Sequence, residues 1–174
     1  NFLFVTASSS RMKSFFEAHI WPLRGRLYRM VYLWTKDRDL SEDLLQNVFT
    51  KTVERQKELQ DHPNLGGWLM KTLKNETLTH FRKSSRMSSL DGTEEFSSPE
   101  THALESKEEE ELIFRLVDQL PQKQKDVFFL REVEEMSYEE IALQLDISLD
   151  QVKINLHRAR KTVREKLINQ GITR

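Results

Sequence analysis

The chain has 174 residues, 37% of them apolar and 32% charged, with five glycines, four prolines and no cysteine. No disulfide, thiolate metal site or cysteine nucleophile is possible, and so charged a chain with so few turn residues reads as all-α, with room for one or two small cores. The net charge of −1 argues against a nucleic-acid partner only as an average: residues 1–87 carry 15 Lys and Arg against nine Asp and Glu, residues 88–111 one against nine, and residues 153–174 seven against one.

The opening Asn1 to Ser10 has no initiator Met and is too weakly patterned for a signal peptide, so no function is expected of it. Ser14 to Trp21 reads as a short helix that Pro22 ends or kinks. Leu23, Leu27, Val31 and Trp34 then fall on one face of a second helix. A third is expected to start after Asp39, with Glu42 as the returning partner of the cap, and to run to about Glu58. Its buried stripe would be Leu45, Val48, Phe49 and Val53. A loop through His62, Pro63, Asn64, Gly66 and Gly67 breaks the pattern, and a helix from about Trp68 to Lys83 follows, with Leu69, Leu73 and Phe81 as apolar anchors. Ser84 to Ala103, rich in Ser, Glu, Thr and Pro, reads as a solvated, flexible linker between two small helical domains.

The second domain resumes with the stripe Leu112, Ile113, Leu116, Val117 and Leu120, and Pro121 stands where the first turn of the next helix would begin. That helix runs to about Glu132. Two more follow closely, each announced by a capping box, Ser137 with Glu140 and Ser148 with Gln151. Ile141, Ala142, Leu145, Ile147, Val152 and Leu156 would pack the pair into a helix-turn-helix.

The last helix carries most information. At about 100° per residue, Val152, Leu156, Ala159, Val163 and Leu167 share one side, and Lys153, Ile154, His157, Arg158, Lys161 and Arg164 spread over the other. Cations near a helix C-terminus are favoured by the macrodipole whatever the function. That explains some of them, but not Ile154 or the preceding turn, whereas a helix in a major groove uses Arg and Lys on guanines and phosphates and an apolar residue on a thymine methyl.

The stretch LPQKQKDVFFLREVEEMSYEEIALQLDISLDQVKINLHRARKTVREKL resembles the promoter-reading domain of the extracytoplasmic-function (ECF) group of sigma-70 family RNA polymerase sigma factors. LYRMVYLWTKDRDLSEDLLQNVFTKTV and GWLMKTLKNETLTHFRK resemble the same group. The resemblance implies a sigma region 2 over 12–86, a linker over 87–105 and a sigma region 4 over 106–174. It also implies three partners: core polymerase through the clamp helices of its largest subunit, promoter DNA, and an anti-sigma factor.

By the same resemblance Asp43, Leu44, Gln46 and Asn47 would dock on the polymerase, with Phe49 in the core. Trp68, Lys71, Lys74, Asn75, Arg82, Lys83 and Arg86 would read and melt the minus-ten element, and Arg131, Lys153, Ile154, His157, Arg158 and Lys161 would read the minus-thirty-five element. Five residues have a plainer alternative: Asp43 as a helix-start carboxylate, Gln46 as a solvated side chain, Trp68 and Phe81 as core, Asn75 bonded to backbone. The family usually has an acidic residue where Thr79 stands, which bears on the base pocket; it commonly has Gly at Asp146 and often Arg at Asn155, and these two departures point to a different promoter sequence.

Five scattered histidines show no metal-ligand spacing, and neither HExxH nor a glycine-rich phosphate loop occurs. Neither an enzyme, a cofactor nor a metal is expected. Apolar runs fall short of the roughly 20 residues a spanning helix needs, so no membrane insertion is expected, and with no cysteine a cytoplasmic location fits. The competing readings are a stand-alone helix-turn-helix regulator and a helical scaffold without a DNA role.

Overall fold

The computed structural model describes residues 15–88 and 108–171, and every regular element among them is helical. The chain divides into two compact units at Pro99/Glu100. Most of the expected linker, and the opening ten residues, lie outside the described residues.

In the first unit a π-helical turn, Phe16–Ile20, runs into a 3-10 turn, Trp21–Leu23, where Pro22 takes one of the first two positions. Helix α1, Arg24–Thr35, follows, and Lys36 stops it in the left-handed region (φ 57°) while donating its N–H to Tyr32 O at 2.9 Å. Helix α2, Arg38–Glu54, therefore begins at once, capped by Asp37, whose carboxylate accepts the Leu40 N–H at 2.9 Å. Asp39, the expected cap, is instead in the first turn, where its charge still suits the helix dipole. Arg55 (φ −103°, ψ 16°) then breaks the run, so that the turn α3, Gln56–Leu59, is separate.

Helix α4 spans Leu65–Ser88 and starts three residues before Trp68. Asn64 caps it, accepting the Gly67 N–H on Oδ1 at 2.9 Å and the Trp68 N–H on its carbonyl at 3.0 Å. Gly66 and Gly67, expected in a loop, are its first turn, because a side-chain cap offsets what glycine costs in a helix. The helix also continues through Ser84–Ser88, expected as linker; Arg82, Lys83 and Arg86 favour its C-terminal end, and no Gly or Pro follows before Gly92.

Helices α1, α2 and α4 pack around Leu27, Met30, Val31, Val48, Leu69 and Leu73, each at most 1% exposed. Burying each of these side chains is worth about 1.5–3 kcal/mol. The expected stripe holds at Leu45 and Val48, whereas Phe49 is half-buried and Val53 exposed, because α2 turns them toward the edge of the bundle. Phe81 is exposed too, one turn beyond the part of α4 that the other helices cover. Buried hydroxyls are satisfied locally: Thr52 donates to Val48 O and Thr77 to Leu73 O, each at 2.8 Å.

The second unit holds α5 (Glu108–Asp118), α6 (Gln122–Glu132), α7 (Tyr138–Leu145) and α8 (Leu149–Asn169). Pro121 is the N-cap of α6, one residue before its first turn. Helix α8 packs on the other three; Val117, Leu120, Ala159 and Val163 form one cluster, with Phe128 and Leu167 against it. Both expected capping boxes are present: Ser137 and Glu140 start α7, Ser148 and Gln151 start α8. Asp146 ends α7 in the left-handed region (φ 53°, ψ 51°), where a short polar side chain is tolerated better than most.

Among the described residues no helix is long and apolar enough to cross a membrane.

Candidate nucleic-acid interface

Three residues, Asp146 to Ser148, separate α7 from α8, the connection of a helix-turn-helix. Val152, Leu156, Ala159 and Val163 are buried on the inner side of α8, whereas Lys153, Ile154, His157, Arg158 and Lys161 are exposed on the other. Ile154 keeps 48% of its surface accessible, an apolar group standing among cations. Lys153, Arg158 and Arg164 have no acidic partner among the described residues, and Lys161 reaches Glu165 only at 3.9 Å.

Arg131 stands apart from this group. It is half-buried at the end of α6, donates from Nη1 to Met136 O at 2.7 Å, and lies 5.3 Å above the Tyr138 ring. The arginine expected on the DNA backbone therefore has a structural task, holding the α6–α7 connection. Beside it, Glu132 Oε1 accepts a hydrogen bond from Arg160 Nε at 2.8 Å, with Nη2 of the same guanidinium 2.6 Å away in an ion pair, joining α6 to α8. This bond, helped by Tyr138, raises the Arg160 pKa above its ordinary value against the opposing effect of burial. Sequence reading missed the pair: Glu132 and Arg160 are 28 positions apart, and only their charges hinted at it.

On α4 the inner side is Leu69, Met70, Leu73 and Thr77. At about 100° per residue, Trp68, Lys71, Asn75, Thr79, Arg82 and Arg86 fall together on the opposite side, with Lys83 next to them. From Trp68 to Arg86 this stripe extends about 27 Å at ~1.5 Å per residue. All are exposed except Trp68, which is half-buried with the Arg55 guanidinium 5.8 Å above its ring. Lys74 falls outside the stripe, half-buried on the flank with Leu78 and Phe81. Thr79, neutral where an acidic residue was the family expectation, sits at the centre of the stripe.

On α2, Asp43, Gln46 and Asn47 are exposed together. Leu44 is not with them: at 3% exposure it belongs to the core, because a residue one position from Asp43 is turned about 100° inward. Beside Gln46 a shallow groove is lined by Phe16, Phe49, Thr50, Val53 and Glu54, and the Phe16 and Phe49 rings meet edge to face at 5.4 Å.

A two-unit helical chain with a helix-turn-helix in its second unit and a cationic helical stripe in its first is built to bind DNA. Comparison with known proteins narrows this. The family model for Sigma-70 region 2 matches residues 16–87, and that for Sigma-70, region 4 matches residues 110–163. The RNA polymerase sigma-E factor of Streptomyces coelicolor is 29% identical over 157 residues, 90% of this chain and 88% of that one. The ECF RNA polymerase sigma factor SigM of Bacillus subtilis is 27% identical over 153 residues, 84% and 90% of the two chains. In fold, the chain resembles the sigma factor RpoE of Bartonella quintana, solved in complex with the anti-sigma factor NepR, with a TM-score of 0.69, 24% identity and coverage of 87% and 96%.

The chain belongs to the sigma-70 family of RNA polymerase sigma factors, in its ECF group. It gives bacterial RNA polymerase its promoter specificity and acts in transcription initiation.

Proposed function

We propose that the three exposed surfaces divide the work of initiation. Residues 106–174 read the minus-thirty-five element, with Lys153, Ile154, His157, Arg158 and Lys161 in the major groove and Arg131 on the backbone. Residues 12–86 hold the other two surfaces. The α4 stripe follows the phosphates of the minus-ten element through Lys71, Arg82, Lys83 and Arg86, with Lys74 at its flank. Asn75 bonds a base edge and Trp68 supports an unstacked base. Asp43, Gln46 and Asn47 on α2 dock on the clamp helices of the largest polymerase subunit.

The observation that carries this reading is the division of α8, with Val152, Leu156, Ala159 and Val163 buried and an isoleucine exposed beside Lys153 and Arg158, which have no acidic partner among the described residues. Folding alone has no use for Ile154 there, and a thymine methyl does. The chain needs no chemistry of its own, since binding energy opens the promoter and nucleotidyl transfer belongs to core polymerase. It works in the cytoplasm, where that polymerase is, and an anti-sigma factor is its natural inhibitor; the resemblance to a sigma factor solved with one supports this partner. A stand-alone operator-binding regulator would have no need of an outward Asp43, Gln46 and Asn47 face.

Run-off transcription with core polymerase and a promoter library tests the reading. Discrete start sites that depend on the chain are expected. Transcripts that do not change when it is added would overturn it.

A further inference from the structure

Glu132 is an acid where a DNA-binding surface gains nothing from one. It ends α6 beside Arg131, and its carboxylate accepts a hydrogen bond from Arg160 Nε and ion-pairs with the same guanidinium. At about 100° per residue, Arg160 lies about 20° from Lys153 and 40° from Arg164 around α8, so the three form one edge of the exposed side. Lys153 and Arg164 are without acidic partners among the described residues, and only the middle cation is held from another helix. Both members of the pair are well exposed, at 47% and 37% of their side chains. A pair in that position adds little stability, which leaves its placement to be explained by something other than folding.

We propose that Glu132 withholds Arg160 from the DNA phosphates, lowering the affinity of α8 for duplex of any sequence. The inference rests on α8 being the DNA-reading helix. A phosphate contact strengthens binding to every sequence alike, whereas promoter choice depends on the ratio of specific to non-specific affinity. Pairing Arg160 removes one such contact while Lys153, Ile154, His157 and Arg158 keep their access to base edges.

The test measures anisotropy of a labelled, mixed-sequence DNA duplex with the full chain over a series of KCl concentrations. Glu132→Gln frees Arg160, and the dependence of log affinity on log salt steepens by about 0.9, the increment for one added phosphate contact. Arg160→Gln alone leaves the slope at the wild-type value, and the double variant returns to it. Glu132→Asp keeps the charge but shortens its reach, and gives an intermediate slope; it carries the test if Glu132→Gln lowers the melting temperature into the assay range. An unchanged slope in both Glu132 variants overturns the proposal. So does a gain that survives in the double variant, which would assign the effect to the local field, or a slope flattened by Arg160→Gln, which would mean that Arg160 already meets phosphate. Lys153→Glu, which sets a like charge against the phosphates whichever group Lys153 meets, is run alongside. If it binds as wild type, the reading of α8 itself fails; if it weakens binding while the Glu132 variants change nothing, only the withholding of Arg160 fails.

Discussion

Ser148 and Gln151 bond reciprocally at the start of α8: the Ser148 hydroxyl accepts the Gln151 N–H, and the Gln151 side chain accepts the Ser148 N–H, both at 3.1 Å. The residues that follow are those proposed for the major groove, so this cap fixes the end of the proposed reading helix. Ser148→Ala should cost about 0.5–2 kcal/mol, read by urea unfolding. If both unfolding midpoint and promoter affinity stayed at wild-type values, the cap would have no part in positioning α8.

At the other side of the turn, Asp146 holds a left-handed conformation with φ 53°. A non-glycine residue there costs up to about 1–2 kcal/mol, less for Asp than for most, and glycine gives part of that back in unfolded-state entropy. Asp146→Gly should therefore raise the melting temperature slightly, and Asp146→Val should lower it clearly. Equal effects from the two would contradict the backbone argument.

The turn and both caps were legible in the sequence because each depends on residues within three positions of one another. The same holds for the inner side of α8, where one period placed Val152, Leu156, Ala159 and Val163 correctly. Errors arose where two neighbouring residues offered the same chemistry or where burial depended on a distant helix. Asp37 and Asp39 are equally good caps on paper, and the left-handed Lys36 decides between them by ending α1 so early. Val53 and Phe81 have the right period but fall where no other helix covers them. Leu44, grouped by resemblance with its polar neighbours, faces the core, and the Glu132–Arg160 pair had no local signature at all.

Leu44 and Gln46 separate folding from docking on α2. Leu44→Ala empties a buried site and should cost about 2–5 kcal/mol in unfolding free energy. Gln46→Ala removes an exposed side chain and should leave stability within about 0.5 kcal/mol, while weakening association with core polymerase. Competition for core against a labelled sigma factor gives that affinity. A Gln46→Ala protein that competes as well as wild type would remove this face from the proposed docking surface.

The α4 stripe predicts a similar division. Leu73 is fully buried, and Leu73→Ala should destabilise the first unit by about 2–5 kcal/mol. Lys71 and Arg82 are exposed, and their replacement by Ala should leave the melting temperature unchanged while slowing promoter opening, followed by the reactivity of unpaired thymines to permanganate. The loss should shrink as salt rises, since what is removed is a proposed phosphate contact, whose worth falls with ionic strength. Normal opening in the Lys71→Ala, Arg82→Ala double variant would mean that the strand is held elsewhere.

Lys153 and Arg158 allow the most direct test of how α8 reads its target. Lys153 lies nearer the start of the helix, the part that meets base edges in a helix-turn-helix, and Arg158 more than one turn later. A lost base-edge contact costs about 1–3 kcal/mol and relaxes the preference at one position, whereas a lost phosphate contact weakens all sequences together and lowers the salt slope by about 1. Lys153→Ala should therefore change which promoters are selected from a randomised minus-thirty-five library. Arg158→Ala should weaken binding to all of them if it meets phosphate, and shift a second base position if it meets an edge. Wild-type selection and wild-type salt dependence in both variants would place the DNA on another side of the domain.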